Sequence, residues 1–458
     1  MDLTGFRGTL LRPEDPGYDP ARHVFNRRFD RRPALLARPR DTADVAVAVR
    51  AARAAGARLA VRGGGHNFAG YAAQDGGLVL DTRGLRDLHV DREAGVFTVG
   101  AGLTWGEADT FSHRYGLATA GGSMSKVGVA GFTLGTGLGW LARAYGLAGD
   151  NLVGATVVTA DGTVMEADAE REPDLYWALR GGTPNFGVVT SLRFRLHPVH
   201  TVLGGTLVFG IDDAARVIRA VRDATVAAPA ALSWAAVLVT APPAEPWPAG
   251  VRGRPVLLLP VAWCGAPGEG ERVLAGVRAA AGPALLDLVT AMPYPAFQRQ
   301  ADESAPDGAR WDVRSEWLST VDDEAVDALV DGARAGRAPL SEVLIRPLGG
   351  ALTDGPDTPF SFRHAGWLLE VLTGWWPGDP DEDGHLDWME RTWRSLCRVS
   401  AGGPCVSHLG VGEPPERTRA AFSPAVHARL VAVKHRFDPD GFFQAAPQLG
   451  DEERPCSS

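Results

Sequence analysis

The segment RGGGHNFAGYA, residues 62–72, carries the residues best suited to chemistry in this chain. Gly63, Gly64 and Gly65 follow a strand-like apolar run, and consecutive glycines let backbone amides approach a bulky anion closely. His66 comes next, so a nucleophilic imidazole would lie beside whatever those amides hold. The segment predicts a pyrophosphate-binding loop with a reactive histidine. A glycine turn before a solvated histidine would give the same sequence pattern.

The elements around this loop predict an α/β layer. Residues 34–37 form a short strand, Asp41 or Thr42 begins a helix that runs to Gly56, and a second strand precedes the glycines. A strand, helix and strand in this order bring the loop to the carboxyl edge of a sheet, where ligands bind. Further on, Thr104 and Glu107 form a capping box for another helix.

A second glycine-rich region covers residues 121–139 and partly matches a dinucleotide fingerprint, with Asp161 at the expected distance. However, Asp161 and Gly162 lie between two strand-like runs, residues 153–159 and 163–167, which indicates a hairpin rather than a parallel crossover. We therefore interpret these glycines as a backbone surface that packs against a large planar ligand.

Three segments together resemble the berberine bridge enzyme-like oxidases of the vanillyl-alcohol oxidase, or PCMH-type, FAD-binding family. They are the loop at 62–72, VGVAGFTLGTGLGWLARAYGLAGDNL from Val127, and DLYWALRGGTPNFGVVTSLRFRLHP from Asp174. The resemblance implies an α+β fold: a two-lobed PCMH-type FAD-binding domain plus a substrate domain whose antiparallel sheet is covered by helices on one face. It implies domains at 1–200 and 201–415, with 416–458 returning to the FAD domain.

In this family the histidine that matches His66 is bonded to the flavin, so the resemblance implies covalent FAD. Relatives with a second bond have a cysteine where this chain has Met124, which leaves a bond through His66 only. The small side chain of Val127 goes with oxygen access in the family and favours an oxidase. The predicted cofactor contacts are Arg62, Gly63, Gly64, Gly65, His66, Asn67, Gly121, Gly122, Ser125, Val127, Gly128, Val129, Gly131, Gly137, Trp140, Asn185, Phe186, Gly187 and Val189.

After residue 201 tryptophans accumulate, and strand-like runs at 232–240 and 256–263 alternate with amphipathic helices at 214–227 and 269–281. A sheet with helices on one face leaves the other face free, and aromatic side chains there would suit a ring-bearing substrate. A single tryptophan is nevertheless more often a core residue.

Glu370 is the predicted catalytic base, because it is the only charged residue in the strand-like run 367–376. A carboxylate on an apolar face would have a raised pKa; the alternative is a residue that points outward on a wet face. Cys405 and Ser407 occupy places where typical family members have tyrosine and asparagine, and we interpret Cys405 as a small packing residue. Ala446 and Gln448 replace two further asparagines, and the tail after Leu449 is expected to fray.

The net charge, the pI and the cysteine content argue against several classes of protein. A net charge of -9 and a pI near 5.7 argue against nucleic-acid binding and against an acidic membrane surface. Four cysteines without a CxxC pair indicate neither a disulfide framework nor a metal site, and the cytoplasm is the expected location.

The sequence thus predicts an FAD-dependent oxidase that takes hydride from a C–H bond of a ring-bearing small molecule in secondary metabolism, with O2 as acceptor. The alternatives are a non-redox flavin scaffold that promotes cyclisation or binding, and a dehydrogenase that uses another acceptor. The oligomeric state stays open.

Overall fold

Two sheets form the N-terminal part of the computed structural model, which describes residues 1–245, 247–336 and 338–450. The first sheet has the order β1-β2-β4-β3, and the second is antiparallel with the order β5-β6-β9-β7-β8. The strands are β1 Thr9–Leu11, β2 Leu35–Arg38, β3 Leu59–Arg62, β4 Leu78–Asp81, β5 Leu88–Asp91, β6 Val96–Gly100, β7 Leu152–Val158, β8 Val164–Ala167 and β9 Val188–Arg195.

Helices accompany these sheets, and their starts follow local sequence signals. The Asp41 side chain caps its helix by accepting from the Asp44 amide, and Thr104 with Glu107 forms the predicted capping box. The helices are α1 Tyr18–Arg22, α2 Thr42–Ala54, α3 Trp105–His113, α4 Val129–Leu134, α5 Ala142–Tyr145, α6 Ala148–Asn151 and α7 Pro173–Ala178.

Strands β2, β3 and β4 run parallel, with α2 between β2 and β3, so the glycine loop leaves the carboxyl end of β3 as predicted. Strands β7 and β8 pair antiparallel across a tight turn. Asp161 sits in that turn and accepts from the Thr163 amide, which confirms the hairpin and excludes the dinucleotide fingerprint.

The central part of the described chain forms one nine-stranded sheet in which all pairs are antiparallel. Its main path is β14-β10-β13-β12-β17-β18-β16, while β11 pairs with β13 and β15 with β10. The strands are β10 Thr201–Gly210, β11 Leu232–Trp234, β12 Ala236–Thr240, β13 Pro255–Trp263, β14 Leu286–Asp287, β15 Thr290–Pro293, β16 Arg310–Leu318, β17 Glu342–Pro347 and β18 Trp367–Trp375. The strand predicted at 232–240 is confirmed over 232–234 and 236–240, with one interruption at Ala235.

Helices cover one face of this sheet, as predicted. Val343, Ile345 and Leu369 join the apolar sides of the covering helices in one buried core. The helices of this region are α8 Ile211–Ala224, α9 Pro267–Ala281, α10 Tyr294–Arg299, α11 Asp323–Ala335 and α12 Glu382–Leu396. Because side chains alternate along a strand, Leu344 and Leu368 point to the opposite face, toward the glycine-rich loops. We call it the inner face.

Most of the tryptophans do not line the inner face as the sequence suggested. Trp234, Trp263 and Trp388 belong to the helix-side core, and Trp376 is exposed. Trp317, by contrast, packs on the inner face among apolar residues. The burial of a large apolar side chain does not require it to face a ligand, so a core position fits most of them.

The last two helices, α13 Pro415–Ala420 and α14 Pro424–Phe437, return to the N-terminal sheets. Leu430, Val433 and Phe437 join the buried core that contains β6, β7 and β9. The predicted frayed tail lies mostly outside the described residues. Within the described ranges, no helix is long and apolar enough to cross a membrane.

Candidate active site

The first two glycine-rich segments meet backbone to backbone. A Cβ atom on Gly64 would lie 2.5 Å from the backbone nitrogen of Gly128, and a Cβ on Gly128 would lie 2.4 Å from that of Gly64. Only glycine at both positions lets the loop after β3 touch the start of α4. The contact brings Gly63, Gly64 and His66 close to Val127 and Gly128.

The residues in this region fit a large polar cofactor such as FAD. Gly131 would present a Cβ to open space, and one on Gly63 would have no neighbour nearer than 3.8 Å, so both glycines border room for a ligand. Two predicted contacts, Asn67 and Asn185, each hold a buried Oδ1 that has no hydrogen-bond partner in the described chain. Buried acceptors of this kind normally have a partner, and a nucleotide cofactor can supply donors.

His66 is the predicted attachment residue, and its environment keeps the imidazole uncharged. Desolvation by burial lowers the pKa of His66 to about 4; Asp307 opposes this shift and Lys126 adds to it. Its ring stacks on Phe25, with ring centroids 4.6 Å apart, and Phe25 stacks in turn on Trp311 at 5.6 Å. A neutral imidazole held in one orientation is the form that can act as a nucleophile.

Asn26 joins three segments at this stack. Its Nδ2 donates to the carbonyl oxygens of Phe68 and Trp311 at 2.7 and 2.8 Å, and its Oδ1 accepts from the Trp311 amide at 2.9 Å. The side chain is fully buried. The N-terminal segment, the His66 loop and β16 are therefore fixed to one another by a single amide.

Arg62 also joins the N-terminal segment to the His66 loop. Its guanidinium donates to the carbonyl oxygens of Ala21 and His23, which holds the N-terminal segment against the loop. Its Nε is buried and has no partner in the described chain. A direct contact between Arg62 and the cofactor stays a prediction.

Several predicted cofactor residues of the second segment make close contacts within the protein. Gly121 and Gly122 pack against the indole ring of Trp105. Ser125 donates through its amide and hydroxyl to Asp302 at 2.9 and 2.5 Å. Gly137, with φ +73°, makes a turn over Ala148. These contacts give each residue a structural role, and their cofactor role stays a prediction.

Trp140 lies between the two parts of the molecule. Its Nε1 donates to Ser123 O, its ring packs edge-on against Phe297, and the guanidinium of Arg346 lies 5.0 Å from the ring centre. Arg346 also donates to the hydroxyl of Ser123 at 3.0 Å. Trp140 therefore contacts Arg346, one of the charged residues of the inner face, directly.

The third segment lies beside the second one. The Thr183 amide donates to Leu134 O at the end of α4, and Val129 at its start is fully buried. Phe186 and Gly187 are buried just before β9 and Val189 is buried within it, and a Cβ on Gly187 would overlap the side chain of Val157. The Asn185 Nδ2 donates to Pro447 O, which ties the segment to the C-terminal part of the chain.

Glu370 points to the inner face from β18, and it is not alone there. Its Oε1 lies 2.6 Å from Nδ1 of His408, and its side chain is only about one-tenth exposed. Burial raises the pKa of this carboxyl, but His408 and Arg346 outweigh burial and hold it below its ordinary value. The raised pKa expected from sequence is therefore wrong, because residues remote in sequence supply positive charge.

His408 carries the positive charge that pairs with Glu370. Burial lowers its pKa, but Glu370 and Cys405 outweigh burial and raise it well above the ordinary value. The His408 ring lies 6.0 Å from that of Phe68 in the His66 loop. The charged pair and the glycine loop therefore border the same part of the interface between the sheets.

Cys405, which the sequence resemblance puts in the place of a tyrosine, is 1% exposed. Its Sγ is 3.1 Å from Thr136 Oγ1, and its amide donates to Ser315 Oγ. Ser407 accepts a hydrogen bond from the Thr136 amide at 2.7 Å. Both replacements hold the loop after α12 against α4 and β16, in agreement with a packing role for Cys405.

Three charged residues near Glu370 were missed by the sequence reasoning: Glu342, Arg346 and His408. Glu342 and Arg346 lie two residues before and after Leu344 on β17, and therefore on the same face as Leu344. The signal that could have found them is this alternation of charged and apolar residues. His408 was noticed only as a neighbour of Cys405, since pairing with Glu370 depends on the fold. No cluster of potential metal ligands is found among the described residues.

Comparisons with known proteins find FAD-linked proteins. A family profile described as an FAD binding domain matches residues 33–168. The (R)-6-hydroxynicotine oxidase of Paenarthrobacter nicotinovorans is 41% identical over 191 residues, which is 42% of each chain. The aligned region therefore spans less than half of the length of this curated relative.

Solved structures are similar over the whole chain. The 6-hydroxy-D-nicotine oxidase of Arthrobacter nicotinovorans superposes with a TM-score of 0.88 and 27% identity, covering 98% of this chain and 99% of the other. A single-residue variant of berberine bridge enzyme gives a TM-score of 0.84 at 19% identity, with 96% and 97% covered, and shows the common fold.

Proposed function

Because the chain belongs to the PCMH-type FAD-linked oxidase family, we propose that it oxidises a ring-bearing small molecule by hydride transfer, with O2 as the final acceptor. One observation carries the proposal. The neutral His66 and the Glu370–His408 pair border the same interface, joined through the contact of Phe68 with His408.

Bound FAD supplies the hydride acceptor, and we propose that it is attached through His66 alone. Gly63 and Gly131 would leave room for it, with Asn67 and Asn185 as polar contacts. Phe25 holds the imidazole ring in one plane. The absence of a thiol at Met124 supports a single bond.

Glu370 is proposed to take the proton from the oxygen or nitrogen on the carbon that loses hydride. Its lowered pKa keeps it ionised at neutral pH, and one oxygen is held by His408 while the other is left for the substrate. The aliphatic inner face around Leu344, Leu368 and Leu372 would exclude water from the reacting groups.

The first test is the absorption spectrum of purified protein before and after acid precipitation, with mass analysis of the pellet. A yellow pellet, with a flavin-sized mass on the peptide that contains His66, supports covalent attachment of FAD. In His66→Ala the yellow colour must instead appear in the supernatant. Stopped-flow reduction under anaerobic conditions, followed by peroxide assay in air, tests the oxidase. Reduction without peroxide would favour the dehydrogenase, and product without reduction would favour the non-redox scaffold.

A further inference from the structure

A cleft of about 410 Å³ lies between α3 and the end of α10, outside the candidate active site. A volume of this size is typical of sites for small molecules. Within the described part of the chain, its walls include no residue of the inner face or of the His66 loop, and Ser125 is the one predicted cofactor contact among them. The cleft is therefore a separate site, and neither the fold nor the proposed oxidation accounts for it.

One face of α3 forms most of the wall. Glu107, Thr110, Phe111 and Arg114 follow at spacings of three and four residues, so their side chains share one side of the helix. Phe111 and, from the start of β5, Leu88 are half-buried and give the cleft apolar surface. Such surface can cover the hydrocarbon body of a ligand.

Two guanidinium groups meet in this cleft. Nη2 of Arg299, the last residue of α10, donates to Thr110 Oγ1 at 2.8 Å. Arg114 follows Thr110 by one helical turn, and its Cζ lies 5.6 Å from the ring centre of Phe111. Side chains one turn apart on a helix are neighbours, so the two positive charges lie close together.

Neither guanidinium pairs with a carboxylate within the ranges that the structure describes. Glu107 borders the cleft, but both of its oxygens are already engaged. Its Oε2 accepts from the amide and the hydroxyl of Thr104 at 2.9 and 3.1 Å, and its Oε1 pairs with Arg86. Two like charges repel each other unless an anion lies between them, so the cleft favours a negatively charged ligand.

We propose that this cleft binds an organic anion that has an apolar, ring-sized body and a carboxylate or phosphate head group. The head group lies between Arg114 and Arg299, because planar guanidinium groups donate pairs of hydrogen bonds to such oxygens. Thr110 accepts from Arg299 and can donate its own hydroxyl proton to the same head group. The body of the ligand packs against Phe111 and Leu88.

The test uses three probes that share one aromatic ring: benzoate, phenyl phosphate and the neutral benzamide. Calorimetric titration of the FAD-loaded protein should show at least one anion binding more tightly than benzamide by about five-fold or more, as expected for partly exposed charged contacts. Arg114→Gln and Arg299→Gln should each lose about five-fold for that anion and little for benzamide. The anion that binds more tightly identifies the head group.

Arg272→Gln is the matched control, because it removes the same charge from an exposed position on α9. It should bind all three probes like the unaltered protein. Added salt should weaken the binding of the anion and leave that of benzamide unchanged, since these charges are accessible to counter-ions.

Benzamide binding as tightly as both anions, including no measurable binding of any probe, would overturn the proposal. Anion binding that is unchanged in both arginine variants would also overturn it. An anion affinity that changes in Glu370→Gln would place the probe on the inner face instead, with the same consequence. Binding heat does not depend on turnover, so these outcomes are independent of the proposed oxidation.

Discussion

The imidazole ring of His66 lies face to face with the phenyl ring of Phe25, with planes 17° apart and centroids separated by 4.6 Å. Trp311 covers the far side of Phe25 at 17° and 5.6 Å. The N-terminal segment thus places one aromatic ring between the proposed attachment residue and the substrate-side sheet. This relationship determines how freely the imidazole can rotate.

We expect Phe25→Leu to slow covalent attachment of FAD without preventing FAD binding. An aromatic stack contributes about 0.5–1.5 kcal/mol, which corresponds to a rate about 2- to 10-fold lower. The measurement is the fluorescence of denatured protein against time after FAD is added to apoprotein. Phe6→Leu, elsewhere in the N-terminal region, should attach FAD at the normal rate. A normal rate in Phe25→Leu would show that the stack does not orient His66.

Glu370→Gln should abolish most of the hydride transfer while FAD stays bound. Loss of a positioned base lowers rates by about 10²- to 10⁴-fold. Anaerobic stopped-flow reduction of the flavin measures the rate, and the flavin spectrum of the variant measures binding. Glu271→Gln, which removes the same charge from an exposed position on α9, is the charge-matched control. Reduction at the normal rate in Glu370→Gln would remove Glu370 from the reaction.

The same variant tests the ion pair with His408 through stability. The pKa of Glu370 is lowered, so its contribution is present above its ordinary value of 4.5 and is lost as pH falls through its folded value. The pKa of His408 is raised, so its contribution is complete below 6.5 and is lost at its higher folded value. Both contributions are complete at pH 4.5–6.5. Thermal unfolding should show Glu370→Gln less stable there by about 1–3 kcal/mol, and the difference should shrink at alkaline pH.

The parts of the fold that the sequence predicted are those decided by near neighbours in the chain. Asp41 caps α2, Thr104 and Glu107 begin α3, and Asp161 turns the β7–β8 hairpin, each through contacts within three residues. The glycine loop after β3 was predicted for the same reason. The interruption of the predicted strand 232–240 at Ala235 was not predicted, because no residue type in this run marks it.

The parts of the site that the sequence could not predict depend on contacts between remote segments. The fold brings His408 to Glu370, and that contact reverses the expected direction of the Glu370 pKa. Phe25 reaches His66 and Trp311 through contacts between remote segments, such as the bonds of Asn26 and the bond of the Phe25 amide to Gly65 O. A hydrophobic pattern shows that Trp234 is buried, but both faces of a covered sheet are buried, so it does not show which face.

Asp109 gives a test of the contact between α3 and α10. It is 1% exposed, and its Oδ2 accepts from Gln298 Nε2 at 2.7 Å, while Oδ1 has no partner in the described chain. Burial raises its pKa to about 8, and Gln298 opposes the shift. The folded state therefore keeps a proton that the unfolded chain loses above about pH 4, so stability falls as pH rises from about 4 to 8.

Asp109→Asn should remove the fall of stability with rising pH, because an amide resembles the protonated acid and does not ionise. Its NH2 group can also donate to Gln298 Oε1, which has no partner in the described chain. We expect little change in unfolding free energy at about pH 5 and a gain of about 1–3 kcal/mol at about pH 8. Urea unfolding at both pH values measures the difference. Asp109→Ala, which leaves Gln298 unpaired, should lower stability at both. A parallel pH response of Asp109→Asn and the unaltered protein would contradict a protonated Asp109.

The sequence resemblance puts Cys405 in the place of a catalytic tyrosine, and the structure gives it contacts that a packing residue would have. Its thiol meets Thr136, its amide meets Ser315, and it packs among Trp317 and Leu368. Cys405→Ala should therefore keep flavin reduction within about three-fold and cost about 1–2 kcal/mol of stability, as expected for a small buried truncation. Cys397→Ala, at a cysteine remote from the inner face, is the control for loss of a thiol. If Cys405→Ala instead lost reduction as completely as Glu370→Gln, the thiol would belong to the proton path, and the substitution of tyrosine by cysteine would be a change of catalytic group rather than its loss.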